Sequence, residues 1–266
     1  MRFYTLGFRS RPAILLIPGT CCHHSMFDAV TPLLTESFFV VVASFSGFDE
    51  NGAGEEYETM EAETEAIEQY LRDKLDGHIA CCYGSSLGGS FAAYLVQRGN
   101  VRIDHVIIGS SDMDEAGEFS AQMQAKLVSG LLYDILRRGK LPFWLAKINE
   151  MKVRRHPELA EYRNRFINFF LTPALSGGVV SRRSIYNQFY YDLVTRIAAD
   201  IYRKDTMIHV FFADRMGYKY LQRYRQHFRN PDIRRFHMEH EELLACHPQR
   251  WRDEVVSCCR MRPDLL

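Results

Sequence analysis

The apolar positions of this chain alternate between short continuous runs and longer segments with helical spacing. Continuous runs of this length are typical of parallel strands buried on both faces, and they occur at 13–17, 38–43, 79–83, 105–109 and 207–212. Shorter strands are expected at 1–6 and 232–237. Helical spacing is found at 26–35, 57–75, 218–228 and 248–261, and in the segment that follows residue 86. The order of strands and helices predicts an α/β fold with a doubly wound, mostly parallel sheet.

This alternation stops after residue 109 and returns at 207. The interval contains helical patterns at 121–137, 143–151, 157–170 and 184–201, separated by prolines and by a glycine pair. We expect residues 1–112 and 206–266 to form the core and 113–205 to form a helical cap over one end of the sheet. Phe143 and Trp144, in the second of these helices, are candidates for lining a substrate pocket beneath the cap.

Bulk properties exclude several classes of protein. The 266 residues are enough for one large α/β domain with an insertion, and the formal net charge of zero argues against general nucleic-acid binding. We find no apolar run of membrane-spanning length and no secretory signal at Met1–Leu6. Six of the seven cysteines form adjacent pairs without zinc-like spacing, which predicts reduced thiols and a cytoplasmic protein that uses no metal.

The turn after the run at 79–83 contains the strongest chemical signal. Its sequence, Gly84-Ser85-Ser86-Leu87-Gly88, fits the pattern G-x-S-x-G. A strand that turns sharply into a helix places the middle residue at an exposed and strained tip, and side chains at the two glycines would collide with neighbouring elements. Ser86 is therefore a candidate nucleophile at a helix N-terminus, where free N–H groups stabilise negative charge.

A serine hydroxyl needs a base, and the base needs an orienting acid. In a doubly wound sheet the loops that follow the strands meet at one edge. The loop after the last strand provides His240, which we prefer to His237 because the latter lies within the strand pattern. The loop after 207–212 provides Asp214 as the acid. Asp112 and Asp114, which follow the run at 105–109, are the alternatives.

The first buried run leads into a loop suited to binding an oxyanion. It ends at Pro18-Gly19-Thr20-Cys21, whose backbone N–H groups, together with the N–H of Leu87, are candidate oxyanion donors. His23 and His24 follow directly. They either line the pocket or face solvent.

These motifs together resemble the α/β-hydrolase family over nearly the whole chain. The matching segments are the oxyanion strand and loop, the nucleophile elbow, the acid turn and the histidine loop: Leu15-Leu16-Ile17-Pro18-Gly19, Gly84-Ser85-Ser86-Leu87-Gly88-Gly89, Phe212-Ala213-Asp214, and His240-Glu241-Glu242-Leu243-Leu244 with His247-Pro248. The family also uses the order Ser, Asp, His. Two departures are the Pro-Gly start of the oxyanion loop and the absence of the usual glycine at Ala213. The resemblance implies Ser86 as nucleophile, His240 as base, Asp214 as acid, and an oxyanion hole formed by the backbone of Thr20, Cys21 and Leu87.

We therefore expect a serine hydrolase that cleaves a small ester or thioester through an acyl-enzyme on Ser86, without a metal or organic cofactor. Acyl transfer or carbon–carbon bond hydrolysis on the same triad is an alternative. A further alternative is a binding protein that keeps the fold but has an incomplete triad. The sequence identifies neither the substrate nor the oligomeric state.

Overall fold

The structure, a computed structural model, describes residues 1–52 and 54–261 and contains a seven-stranded sheet with strand order β1-β3-β2-β4-β5-β6-β7. The strands are β1 Arg2–Leu6, β2 Ala13–Ile17, β3 Phe39–Ser44, β4 His78–Ser85, β5 Arg102–Gly109, β6 Met207–Ala213 and β7 Asp232–Phe236. All neighbouring strands are parallel except β1, which is antiparallel to β3. The predicted doubly wound, mostly parallel sheet is confirmed.

The central strands are buried on both faces, as their continuous apolar sequences predict. Every residue of β2 and β3 is buried, and β2 pairs with β4 in a register that places Ile17 opposite Gly84. This register brings the end of β2, and the loop after it, beside the turn that follows β4. The two strands thereby position the predicted oxyanion loop and the predicted nucleophile turn side by side.

Helices cover both faces of the sheet. Their bounds are α1 Thr31–Leu34, α2 Met60–Leu75, α3 Leu87–Arg98, α4 Glu118–Arg138, α5 Phe143–Arg155, α6 Ala160–Phe170, α7 Arg182–Val194, α8 Tyr218–His227, α9 Glu242–Cys246 and α10 Pro248–Cys258. Apolar residues of α2, α3 and α8 pack on one face of the sheet, and those of α1 and α10 pack on the other. The apolar side of each of these five helices is therefore buried against the sheet.

Two helices differ from their predicted extents. The segment predicted as one helix at 26–35 is a short 3-10 helix, His24–Phe27, followed by α1. His23 caps the first of these, because its Nδ1 accepts the backbone N–H of Ser25. Helix α7 ends at Val194 rather than near 201, because Thr195 is extended and Ile201 forms a parallel bridge with Phe228.

The remaining boundaries lie within about three residues of the patterns, except that α5 extends to Arg155, four residues beyond its predicted end. Helix α10 ends at Cys258, and the end of the segment predicted at 248–261 falls on residues that follow the helix. Four α-helices, α4 to α7, occupy the interval between β5 and β6. Among the helices of the described ranges, none combines the length and apolar character needed to cross a bilayer.

Candidate active site

The turn between β4 and α3 holds Ser86 in a strained backbone conformation. Its φ of 50° and ψ of −114° lie in a region that residues with a side chain rarely adopt. A Cβ on Gly84 would lie 1.9 Å from the carbonyl oxygen of Gly88, and a Cβ on Gly88 would lie 2.2 Å from the carbonyl oxygen of Ile17. Only glycine fits at either position, so the local packing forces the sharp turn that leaves Ser86 partly exposed.

The loop after β2 runs directly beside this turn. A Cβ on Gly19 would come within 3.5 Å of the Cβ of Ser86. Cys21, at a φ of 55°, donates its backbone N–H to Oε1 of Gln188 at 2.7 Å. One of the predicted oxyanion donors is therefore already paired with a side chain of α7. Leu87 is the first residue of α3, so its N–H has no acceptor within the helix.

His240 lies in the loop that follows β7, beneath helix α6. Its ring packs edge-on against Phe166, with ring centroids 5.8 Å apart, and its carbonyl oxygen accepts the hydroxyl of Tyr162 at 3.0 Å. Burial lowers the pKa of His240 to about 4. The imidazole is therefore neutral at pH 7 and able to accept a proton.

The residue after His240 ties this loop to the nucleophile turn. Glu241 has a left-handed φ of 58°, and its side chain is buried. Its Oε1 accepts the backbone N–H of Ser86 at 3.2 Å, and its Oε2 accepts the hydroxyl of Tyr83 at 3.2 Å. Burial raises the pKa of Glu241 to about 7, opposed by these hydrogen bonds. The structure thus brings the loop of the predicted base against the turn of the predicted nucleophile.

The predicted pairing of Asp214 with His240 is not present. Asp214 forms a short helical turn at the end of β6, and its Oδ1 is 3.0 Å from Nδ1 of His237. His237 lies just beyond β7, which pairs with β6, whereas His240 is three residues further on and turns under α6. Within residues 1–52 and 54–261, no hydrogen bond joins the ring of His240 to a carboxylate.

The alternative acids belong to a different group of carboxylates. Arg223 donates to the carbonyl oxygen of Asp112 at 2.7 Å and forms an ion pair with Asp114. Burial, with a further contribution from Asp114, raises the pKa of Asp112. Asp192 of α7 joins this group, and burial, with a contribution from Asp112, raises its pKa to about 8. Ser90, one helical turn after Ser86, pairs through its Oγ with Oγ of Ser111 at 3.2 Å.

The four candidate pocket residues lie in two different environments. His23 is buried, with Nε2 2.8 Å from Oε2 of Glu50, and the ring of His24 stacks on Tyr4 at 3.9 Å. Phe143 and Trp144 are 80% and 53% exposed on α5. The structure therefore places the histidines in a polar cluster behind the oxyanion loop and the two aromatic residues at the surface.

Sequence reasoning missed Gln188, Asp192 and Glu241, which contact the turn or its neighbours. For the first two a signal was available, because polar residues at 184, 188 and 192 recur every four positions and so share one face of a helix. Glu241 gave no such signal, since a glutamate beside a loop histidine is ordinarily solvated.

Comparison with known proteins agrees with this architecture. The family model described as alpha/beta hydrolase fold matches residues 12–211, which is more than half of the chain. A comparison with curated proteins finds no match.

Solved structures of similar fold cover almost the whole chain. An alpha/beta hydrolase family protein from Desulfitobacterium hafniense has a TM-score of 0.73 at 16% identity, covering 96% of this chain and 99% of its own. The enol-lactonase from Burkholderia xenovorans LB400 has a TM-score of 0.61 at 16% identity, with coverages of 98% and 96%. A thermophilic esterase from Thermogutta terrifontis has a TM-score of 0.63 at 18% identity, with coverages of 96% and 91%. At these identities the likeness establishes the fold alone. Sheet order, glycine-forced turn and family match agree, and the chain belongs to the alpha/beta hydrolase fold family.

Proposed function

We propose that this protein is a serine hydrolase that cleaves a small ester or thioester through an acyl-enzyme on Ser86. The observation that carries the proposal is the strained, glycine-enclosed backbone of Ser86, held against the loop that carries a neutral histidine. Strain of about 1–3 kcal/mol at such a residue persists only when the surrounding packing enforces it, and it is common at active sites.

The reaction divides into two steps. In the first, Oγ of Ser86 attacks the carbonyl carbon while His240 takes its proton, and the same proton then passes to the departing alcohol or thiol. In the second, His240 deprotonates a water molecule that attacks the acyl-enzyme, and the same proton returns to Oγ of Ser86 as its bond to the acyl carbon breaks and the acid leaves. The N–H groups of Thr20 and Leu87 would hold the oxyanion, each contributing about 3–4 kcal/mol. Cys21 would join them only after Gln188 moves away.

The orienting acid is the member of the proposed catalytic triad whose identity the structure constrains least. The family order Ser, Asp, His supports Asp214, while the observed bond from Asp214 to His237 separates it from His240. We propose that Ser86 and His240 form the minimal catalytic unit, and that Asp214 contributes as orienting acid only if its loop rearranges. Asp112 is the second candidate.

Helices α4 to α7 are proposed to form a cap, residues 113–205, over a core of 1–112 and 206–266. The contacts that support this assignment join α6 to His240 and α7 to Cys21. All seven cysteines are free. This supports our proposal of a cytoplasmic protein, because disulfides are rare in reducing compartments.

The names of two structural relatives fit the proposed chemistry. The Burkholderia protein is an enol-lactonase and the Thermogutta protein is an esterase. Lactones and esters both expose a carbonyl carbon to attack by an activated serine. Acyl transfer differs only in the second acceptor, so product analysis with added alcohol separates it from hydrolysis.

Labelling with a fluorophosphonate tests the proposal directly. We expect one adduct on Ser86 in the wild type, found by intact mass and peptide mapping, and no adduct in the Ser86→Ala variant. Ser85→Ala is the matched control, since Ser85 is the neighbouring serine and is fully buried, and it should retain the adduct. Labelling or ester hydrolysis that persists in Ser86→Ala would refute the assignment. A folded wild type that forms no adduct would favour the binding-protein alternative.

A further inference from the structure

Helix α7 presents a polar face to the core of the protein. Ser184, Gln188 and Asp192 are spaced four residues apart and therefore lie on one side of the helix. Ser184 and Gln188 are fully buried, and Oγ of Ser184 accepts the backbone N–H of Tyr57 at 3.1 Å. Buried helix faces are ordinarily apolar, so three consecutive polar positions require a partner for each polar group.

This face contacts the oxyanion loop, which borders the turn that holds Ser86. At one end, Oε1 of Gln188 accepts the N–H of Cys21 in the oxyanion loop at 2.7 Å. One helical turn further along this face, Asp192 lies close to the carboxyl groups of Asp112 and Asp114, which follow β5. Gln188 therefore contacts the oxyanion loop, which lies beside the candidate nucleophile, and Asp192 lies near the loop that follows β5.

The amide nitrogen of Gln188 is a donor without an acceptor. The backbone N–H of Cys21 can only donate, which assigns the facing atom as Oε1 and directs Nε2 elsewhere. Nε2 is buried and has no hydrogen-bond partner among the described residues. The hydroxyl of Tyr57, whose backbone N–H bonds to Ser184 of the same helix face, is also buried and unpaired there. A buried donor left unpaired is costly to the fold, which indicates that a ligand supplies the acceptor.

The carboxyl groups nearby restrict the charge of that ligand. Asp112 and Asp114 lie close to Asp192 at one end of this face, and burial raises the pKa of Asp192 to about 8. An environment that disfavours ionisation of Asp192 would also disfavour an anionic substrate. A cationic ammonium group has no lone pair to accept from Nε2. The acceptor is therefore an uncharged oxygen.

We propose that Gln188 is a specificity-determining residue whose amide nitrogen donates a hydrogen bond to an uncharged ether, hydroxyl or keto oxygen of the substrate, near the scissile carbonyl. This inference rests on the proposed function of Ser86. It narrows the substrate class from small esters in general to oxygenated esters. The proposal also gives the hydrogen bond between Cys21 and Gln188 a role, because this bond orients the side-chain amide of Gln188.

Pairs of esters in which an ether oxygen replaces one methylene group test this inference. On the acyl side, 4-nitrophenyl methoxyacetate is compared with 4-nitrophenyl butanoate, and on the alcohol side, 2-methoxyethyl butanoate is compared with butyl butanoate. Each kcat/KM is divided by the alkaline hydrolysis rate of the same ester. The wild type should favour the oxygenated member of one pair, and Gln188→Met should lower that preference about tenfold, the effect of one hydrogen bond.

Gln188→Met keeps the length of the side chain and removes the donor. Gln124→Met is the matched control, because Gln124 is an exposed residue of α4 that bonds only to Ser120 nearby, and it should leave the preference unchanged. A merely structural role for Gln188 would alter both esters of a pair equally, so an unchanged ratio in a folded Gln188→Met protein would overturn the inference. A wild type that favours the all-carbon ester in both pairs would overturn it without any variant. Fluorophosphonate labelling of Ser86 separates these failures from failure of the proposed function, because absence of labelling removes both proposals together.

Discussion

The carboxyl group of Glu241 should make the stability of this protein fall as pH rises. Its side chain is buried beneath the Ser86 turn, and burial raises its pKa from 4.5 to about 7. Between pH 4.5 and pH 7 the folded protein therefore binds more protons at this site than the unfolded chain does. The stabilising contribution is fully present below pH 4.5 and is lost as pH rises through 7.

The size of the effect follows from the pKa change. Each pKa unit corresponds to about 1.4 kcal/mol, so Glu241 should lower the free energy of unfolding by about 2.5 kcal/mol between pH 5 and pH 8.5. Glu241→Gln removes the titration and keeps a carbonyl oxygen for the N–H of Ser86. The variant should have nearly the stability of the wild type at pH 5 and exceed it by about 2.5 kcal/mol at pH 8.5.

Urea unfolding from pH 5 to pH 8.5 measures this difference. Trp251 is a suitable reporter, because it is fully buried and its ring lies 4.8 Å from that of Tyr83, the hydroxyl of which donates to Glu241. His240 and Asp192 titrate in both proteins, so their contributions cancel in the difference. Glu36→Gln, at an exposed glutamate, is the control and should give a flat difference. A flat difference for Glu241→Gln would refute the reasoning.

Three further predictions concern the turn and the proposed triad. Gly88→Ala should destabilise the protein by about 3 kcal/mol or more in urea unfolding, because the new Cβ would lie 2.2 Å from the carbonyl oxygen of Ile17. Gly117→Ala is the control: a Cβ there has nothing within 4 Å, and the substitution should cost less than about 1 kcal/mol. Equal costs would contradict the steric account. The rate of ester hydrolysis should stay constant from pH 8 to pH 5 and fall by half near pH 4, the pKa of His240. A midpoint near the ordinary histidine value of about 6.5 would show that burial does not lower the pKa of the catalytic base. Asp214→Asn should keep kcat within about tenfold of the wild type, since Asp214 bonds to His237, and a loss of about 10⁴ would instead identify it as the triad acid.

Local sequence patterns were reliable for the fold because the forces they report act over short distances. Strand β2 begins and ends where its apolar run does, at Ala13 and Ile17. The G-x-S-x-G turn was equally readable, since the collisions that require Gly84 and Gly88 arise within the turn and from the adjacent strand. The antiparallel pairing of β1 was not readable, because a run of apolar residues does not specify the direction of its partner.

The side-chain partnerships at the site depended on contacts between distant elements. Asp214 and His240 both occur in loops at the expected edge, yet a difference of three residues in one loop gave Asp214 a different histidine. Gln188 reaches Cys21 only because α7 packs across the oxyanion loop, and 167 residues separate the two in sequence. Hydrogen bonds require placement to within a few tenths of an ångström, and helix packing determines that placement. The sequence by itself therefore determined the sheet, the turn and the family, whereas the tertiary structure alone decided which polar groups meet around Ser86.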